Sequence, residues 1–116
     1  MPHPHAQSEA ILAAASELEQ LTRKRLAWAQ NGQWDALLAS EERRGRLAEA
    51  IDAARLDRDS PETEALARRL TRIREMDRAI QPFLEAERDR LNEERQKVSR
   101  KSAGARAYQQ VERGRD

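Results

Sequence analysis

Ten positions from Leu66 to Val98 follow one unbroken alternation of four- and three-residue steps. They are Leu66, Leu70, Ile73, Asp77, Ile80, Leu84, Glu87, Leu91, Glu94 and Val98. Such a spacing lays one stripe along an α-helix and cannot be laid along one face of a strand, whose side-chain period is two. Pro82 removes a backbone donor inside this stretch, yet the rhythm keeps its phase across it. A loop would reset the phase and bring in Gly, Ser or Asn. The pattern therefore predicts one long helix kinked at Pro82, with two abutting helices as the alternative. Ser60 and Pro61 supply a cap and a first helical residue at its start.

The rest of the chain fits the same class. Ala, Arg, Glu, Leu and Lys make up 68 of the 116 residues, a share typical of long helices, and Gly and Pro number four each. In the first half, Ile11, Ala14, Leu18, Leu21 and Trp28 recur at helical spacings after Ser8, a good cap. Asn31 and Gly32 tolerate a left-handed helix end, and Trp34 with Asp35 restarts a helix at once, so the first two helices should be antiparallel neighbours. The second helix is expected over residues 34–55, weakened in the middle by Glu41, Glu42, Arg43, Arg44 and Gly45. Residues 1–7, with Pro2 and Pro4, read as a disordered lead-in. Gly104 is expected to break the third helix and leave a short terminal one. The expected organisation is all-α: an antiparallel bundle over residues 8–98 and a short C-terminal helix or tail over 99–116.

The core can only be thin. Leu, Ile, Val and Phe total 19 residues, below the roughly 20% usual in folded domains. Net charge is only +1, with opposite signs interspersed, which favours a folded but marginal bundle over disorder. Cysteine is absent, which removes thiolate chemistry and Cys-based metal sites. His3 and His5 alone leave a metal site incomplete. The longest apolar run spans residues 10–15, far short of the ~20 needed to cross a bilayer. No basic leader precedes it, and a cytoplasmic location is expected. No phosphate loop, nucleophile or catalytic carboxylate arrangement is visible, so no enzyme activity and no cofactor are expected.

What remains is recognition by helices. Asp77 is a carboxylate in mid-seam; it either pairs with a neighbouring Arg or receives a polar group of a partner helix. Trp28 and Trp34 flank the first turn, Trp34 as a cap of the bundle in preference to a hot spot. After Leu84 the stripe carries Glu87 and Glu94, so this half should project or be covered loosely. Residues 95–106 hold five basic side chains and no acidic one, a composition that suits a helix C-terminus and does not by itself argue for nucleic acid. A thin core beside an incompletely covered amphipathic helix suits helix-in-groove binding, in which an internal contact is exchanged for a partner's helix.

Two motifs resemble a known family. Asn31-Gly32-Gln33-Trp34-Asp35-Ala36-Leu37-Leu38, followed by Glu41, looks like the G-x-W-D-x-L-L opening of helix 2 in the flagellar export chaperone FliT family. Arg100-Lys101-Ser102 with Ala107-Tyr108 resembles the short K…A-Y element near that family's C-terminus. The order of elements agrees over about residues 8–111. Three features depart from the pattern: Gly45 with the polar middle of helix 2, Pro82, and the charged seam at Glu87 and Glu94.

The resemblance implies a chaperone of flagellar type III export that binds the C-terminal helical region of the filament-cap protein and prevents its premature assembly. It also implies contact with the export ATPase complex and, in enteric bacteria, with the flagellar master regulator. The last helix would cover the binding surface. Candidate partner-binding residues are Leu37, Leu38, Leu70, Ile73, Asp77, Ile80 and Leu84; the regulatory tail would use Ala105, Tyr108 and Val111. The chain is expected to be a monomer or weak homodimer. Rival readings are a hook-junction chaperone or ATPase-stalk protein, a helical regulator, and a plain oligomerisation module.

Overall fold

A computed structural model describes residues 4–52 and 60–113, with side chains over 8–52 and 60–111. The elements in chain order are α1 (Pro4–Gln30), α2 (Trp34–Ala39), α3 (Glu41–Asp52) and α4 (Pro61–Arg113). All regular structure among the described residues is helical, in agreement with the sequence. The expected cap Ser8 lies inside α1, which begins at Pro4, within the segment read as a disordered lead-in.

The α1 terminus forms where the sequence places it. Gly32 has φ +69°, the left-handed conformation that only glycine adopts without strain. The Gln33 N–H reaches back to Trp28 O at 2.8 Å and the Gly32 N–H to Ala29 O at 3.3 Å, the two bonds of a Schellman cap. After this turn the chain doubles back, for Arg25 meets Glu41 and Arg43 meets Glu17 across the pair.

The expected second helix is in fact two. It breaks at Ser40, whose N–H is shared between Ala36 O and Leu37 O and whose hydroxyl donates to Leu37 O at 2.6 Å. The competing local bond is the physical reason, since a serine hydroxyl offers the backbone an alternative to the helical ladder. Gly45, expected as the weak point, lies within α3. The expected end of this helix, residues 53–55, falls outside the described residues.

Helix α4 starts as predicted. The Thr63 N–H donates to Ser60 Oγ at 3.2 Å, with Pro61 as first helical residue and Glu62 and Glu64 in the first turn. Pro82 lies inside the helix, so one helix rather than two abutting ones is formed. It also runs through Gly104, where a break was expected, and ends at Arg113. A glycine costs a helix roughly 1 kcal/mol relative to Ala, too little alone to stop a helix whose flanks are Ala103 and Ala105.

The chain divides into two units, residues 1–83 and 84–116. In the first, Ala15 and Leu18 of α1, Leu47 and Ile51 of α3 and Ile73 of α4 form the buried cluster, flanked by Ala14, Leu21, Leu66 and Leu70. The second unit is the distal part of α4, in which every described residue from Arg88 to Val111 is exposed.

Candidate partner-binding surface

The buried seam of α1 is Ile11, Ala15, Leu18, Thr22, Arg25 and Ala29, again in alternating steps of four and three. The apolar pattern had favoured Leu21 and Trp28, which are half-buried at the seam's flank. Its centre is therefore polar. Thr22 is fully buried and returns its hydroxyl to Leu18 O at 2.7 Å, the usual way a helical threonine satisfies itself. Arg25, 3% exposed, donates to Leu37 O at 3.1 Å, to Ser40 Oγ at 2.5 Å and to Glu41 Oε1 at 2.5 Å. This guanidinium spans the α2–α3 break and occupies the acceptors that the broken helix exposes. Its Nε is buried without a partner among the described residues.

A second polar group sits one turn away. The Glu19 side chain is 7% exposed and is ringed by Arg72 Nε at 2.5 Å, Arg69 at 3.5 Å and Arg23 at 3.7 Å. The hydrogen bond from Arg72 holds its carboxyl below the ordinary value of 4.5, against the opposing effect of burial and with help from the charges of Arg72, Arg69 and Arg23. In the distal unit the Glu87 carboxyl is likewise lowered, first by the hydrogen bond from Arg90, which also reaches Glu94. Neither Arg25 nor Glu19 was singled out from the sequence. The four-three phase from Ile11 to Ala29 places Arg25 on the seam, whereas Glu19 lies one position off it and carries no such mark.

The residues expected to bind a partner are spread over different environments. Leu37, Ile73 and Ile80 are buried, Leu70, Asp77 and Leu84 half-buried, and Leu38 is 72% exposed. Asp77 pairs with Arg44 of α3 at 3.5 Å, the structural role weighed for it. The pair stands at an open depression of about 180 Å³ whose apolar walls are Leu18, Ala48, Ile51, Leu70 and Ile73, with Arg74 and Asp52 also lining it. Leu70, Ile73 and Asp77 thus come together there, while Leu37, Leu38, Ile80 and Leu84 do not line it. In the distal unit Leu91, Val98, Tyr108 and Val111 are exposed by 44 to 65%. Trp28 and Trp34 are both half-buried beside the turn.

Among the described residues no group of His, Asp and Glu could hold a metal ion, and no helix is long and apolar enough to cross a membrane. The surface offers open depressions with apolar walls and charged edges. The family profile described as "Flagellar protein FliT" matches residues 12–110. No curated protein and no solved structure matches the chain.

Proposed function

Because the chain belongs to the FliT family of flagellar export chaperones, we propose that it is a cytoplasmic, substrate-specific chaperone that binds the C-terminal helical region of the filament-cap protein and delays its assembly. The observation that carries this reading is the make-up of the first unit. Among the described residues the buried cluster that joins α1, α3 and α4 has five members, and the centre of the α1 seam is polar. An antiparallel bundle with so shallow a core exchanges an internal contact for a client helix at small cost. The depression between Leu70, Ile73 and Ile51 receives the first aliphatic anchor of that helix, with Asp77 and Arg44 meeting its polar flank. Leu37, Leu38, Ile80 and Leu84 join the contact as the helices part.

In the same reading the C-terminal segment acts as a competitor. Ala105, Tyr108 and Val111 cover the client surface until client displaces them. The same proposal includes contact with the export ATPase complex and a free chain that is a monomer or weak homodimer.

Calorimetric titration with the C-terminal segment of the same organism's filament-cap protein tests both parts. Saturable binding that tightens in a truncation after Arg100 is the expected result. Equal or weaker affinity in the truncation overturns the covering tail, and no binding to either folded protein overturns the client assignment.

A further inference from the structure

The face of the first unit formed by α1 and α4 away from α3 carries a charge imbalance that packing does not use up. Three guanidinium groups, those of Arg23, Arg69 and Arg72, converge on the single buried carboxylate of Glu19. Arg72 makes the close hydrogen bond, and Arg23 and Arg69 stand at 3.7 and 3.5 Å. Their side chains are 63, 48 and 31% exposed for Arg23, Arg72 and Arg69, so their remaining N–H donors face solvent. Glu19 and, farther along the same face, Glu75 are two carboxylates against three arginines, and they accept only a fraction of what those arginines can donate, each having five N–H groups.

Beside this cationic end lies an apolar one. Arg69, Arg72, Met76, Ala79 and Phe83 follow one another in steps of three and four along α4, and Glu19, Arg23 and Leu26 do so along α1. An open depression of about 290 Å³ connects the two ends, lined by Arg23, Leu26, Arg72, Glu75, Met76 and Ala79. Leu26 and Met76 are half-buried in it, and Phe83, farther along the same stripe, is 37% exposed. A methionine at such a surface adapts to different partner side chains.

We infer that this α1–α4 face is a second docking surface, distinct from the depression between α1, α3 and α4, and that it takes an acid-led amphipathic helix of a partner protein. Carboxylates in the first turns of that helix meet Arg23, Arg69 and Arg72, and aliphatic residues of its following turns lie on Leu26, Met76 and Ala79. The inference does not depend on the client assignment, because the residues differ and a substitution in one site leaves the other intact.

The test uses the full chain and two labelled synthetic helical peptides. One carries glutamates in its early turns and leucines along one face of its later turns; its sister has lysines in place of the glutamates. Fluorescence anisotropy should show binding of the glutamate peptide that weakens with salt, and little binding of the lysine peptide. Arg23→Glu should lower the affinity about tenfold, the loss of one charge-assisted contact. Met76→Glu should act in the same direction. Ala48→Glu, in the other depression, should leave peptide binding unchanged. Ala79→Glu, at an exposed position, serves where circular dichroism shows that Arg23→Glu or Met76→Glu has unfolded the chain.

Equal binding of the two peptides overturns the inference, as does binding indifferent to Arg23→Glu and Ala79→Glu. A doubling of mass by light scattering that Arg23→Glu abolishes assigns the face to a second copy and overturns it too. Displacement of the peptide by a single-stranded oligonucleotide, with tighter oligonucleotide binding in Met76→Lys, assigns the arginines to phosphate with the same consequence.

Discussion

Replacing the half-exposed Glu41 should damage this protein more than replacing the buried arginine it pairs with. Arg25 sits at 4% side-chain exposure and Glu41 at 47%. Breaking a buried ion pair by removing one partner costs ~3–5 kcal/mol when an uncompensated charge stays behind in the interior. In Glu41→Gln the charge left behind is the guanidinium, deep in the seam, holding only neutral acceptors (Leu37 O, Ser40 Oγ and the substituted amide oxygen), with its Nε already without a partner among the described residues. Solvent reaches the Glu41 side of the pair, which reduces the figure to about 2 kcal/mol. In Arg25→Met the charge itself is gone, the aliphatic volume is kept, and Glu41 turns to water. Leu37 O keeps the Ser40 hydroxyl as donor. The expected loss is then about 1 kcal/mol, mostly two forfeited hydrogen bonds offset by lower desolvation. Urea denaturation read by circular dichroism gives both values from the midpoints at constant m. The double variant should resemble Arg25→Met alone, since no buried charge is left to strand. A neutral Glu41→Gln beside an Arg25→Met that costs about 3 kcal/mol or more would refute the reasoning, because Arg25 would then act as a net stabilising bond donor rather than as a charge in need of its partner.

Three further outcomes follow from the same packing. The Glu19 carboxyl is held below its ordinary 4.5, first by the Arg72 hydrogen bond, so its ionised form contributes stability above that value and the contribution is lost as pH falls through the lowered one. The stability gap between the native chain and Glu19→Gln, measured by urea titration at several pH values, should therefore be widest near neutrality and close in acid; a gap that widens in acid would contradict the sign. Gly45→Ala should raise stability by up to about 1 kcal/mol, because a Cβ there meets nothing within 4 Å, whereas Gly32→Ala should lower it by about 1 kcal/mol through its φ of +69°; thermal melts compare the two directly. Gly104→Ala also meets open space inside a continuous helix and should raise the helicity of distal α4, read as a stronger circular-dichroism signal at 222 nm; an unchanged or lower signal would contradict this.

Much of the architecture was legible because it rests on local chemistry. Ser60 with Pro61 starts α4, Asn31 with Gly32 ends α1, and the unbroken phase across Pro82 makes one helix rather than two; each is decided within a turn or two of the chain, and each is where pattern and capping place it. For Asp77 the sequence left two readings open, an arginine partner or a partner helix, and packing supplied Arg44 of α3 as the arginine. The seam of α1 was not legible. Its stripe was chosen from apolar residues, which favoured Leu21 and Trp28, while the buried positions at the centre are Thr22 and Arg25.

The physical reason lies in the neighbouring chain. A threonine or arginine is buried only where acceptors are waiting: Thr22 finds its own in Leu18 O one turn back, whereas those of Arg25 come from the helix break at Ser40, twelve to sixteen residues away in sequence. Arg69 and Arg72 likewise reach Glu19 from fifty and fifty-three positions away, and the local i,i+4 pair of Glu19 with Arg23 does not announce them. The sequence by itself determined the helical class, the first turn, the start of α4 and the thinness of the core, because propensity, capping and apolar count act along the chain. Only the tertiary structure decided which polar side chains are buried and which arginines are left with donors to spare, because desolvation and charge pairing depend on what packing brings alongside.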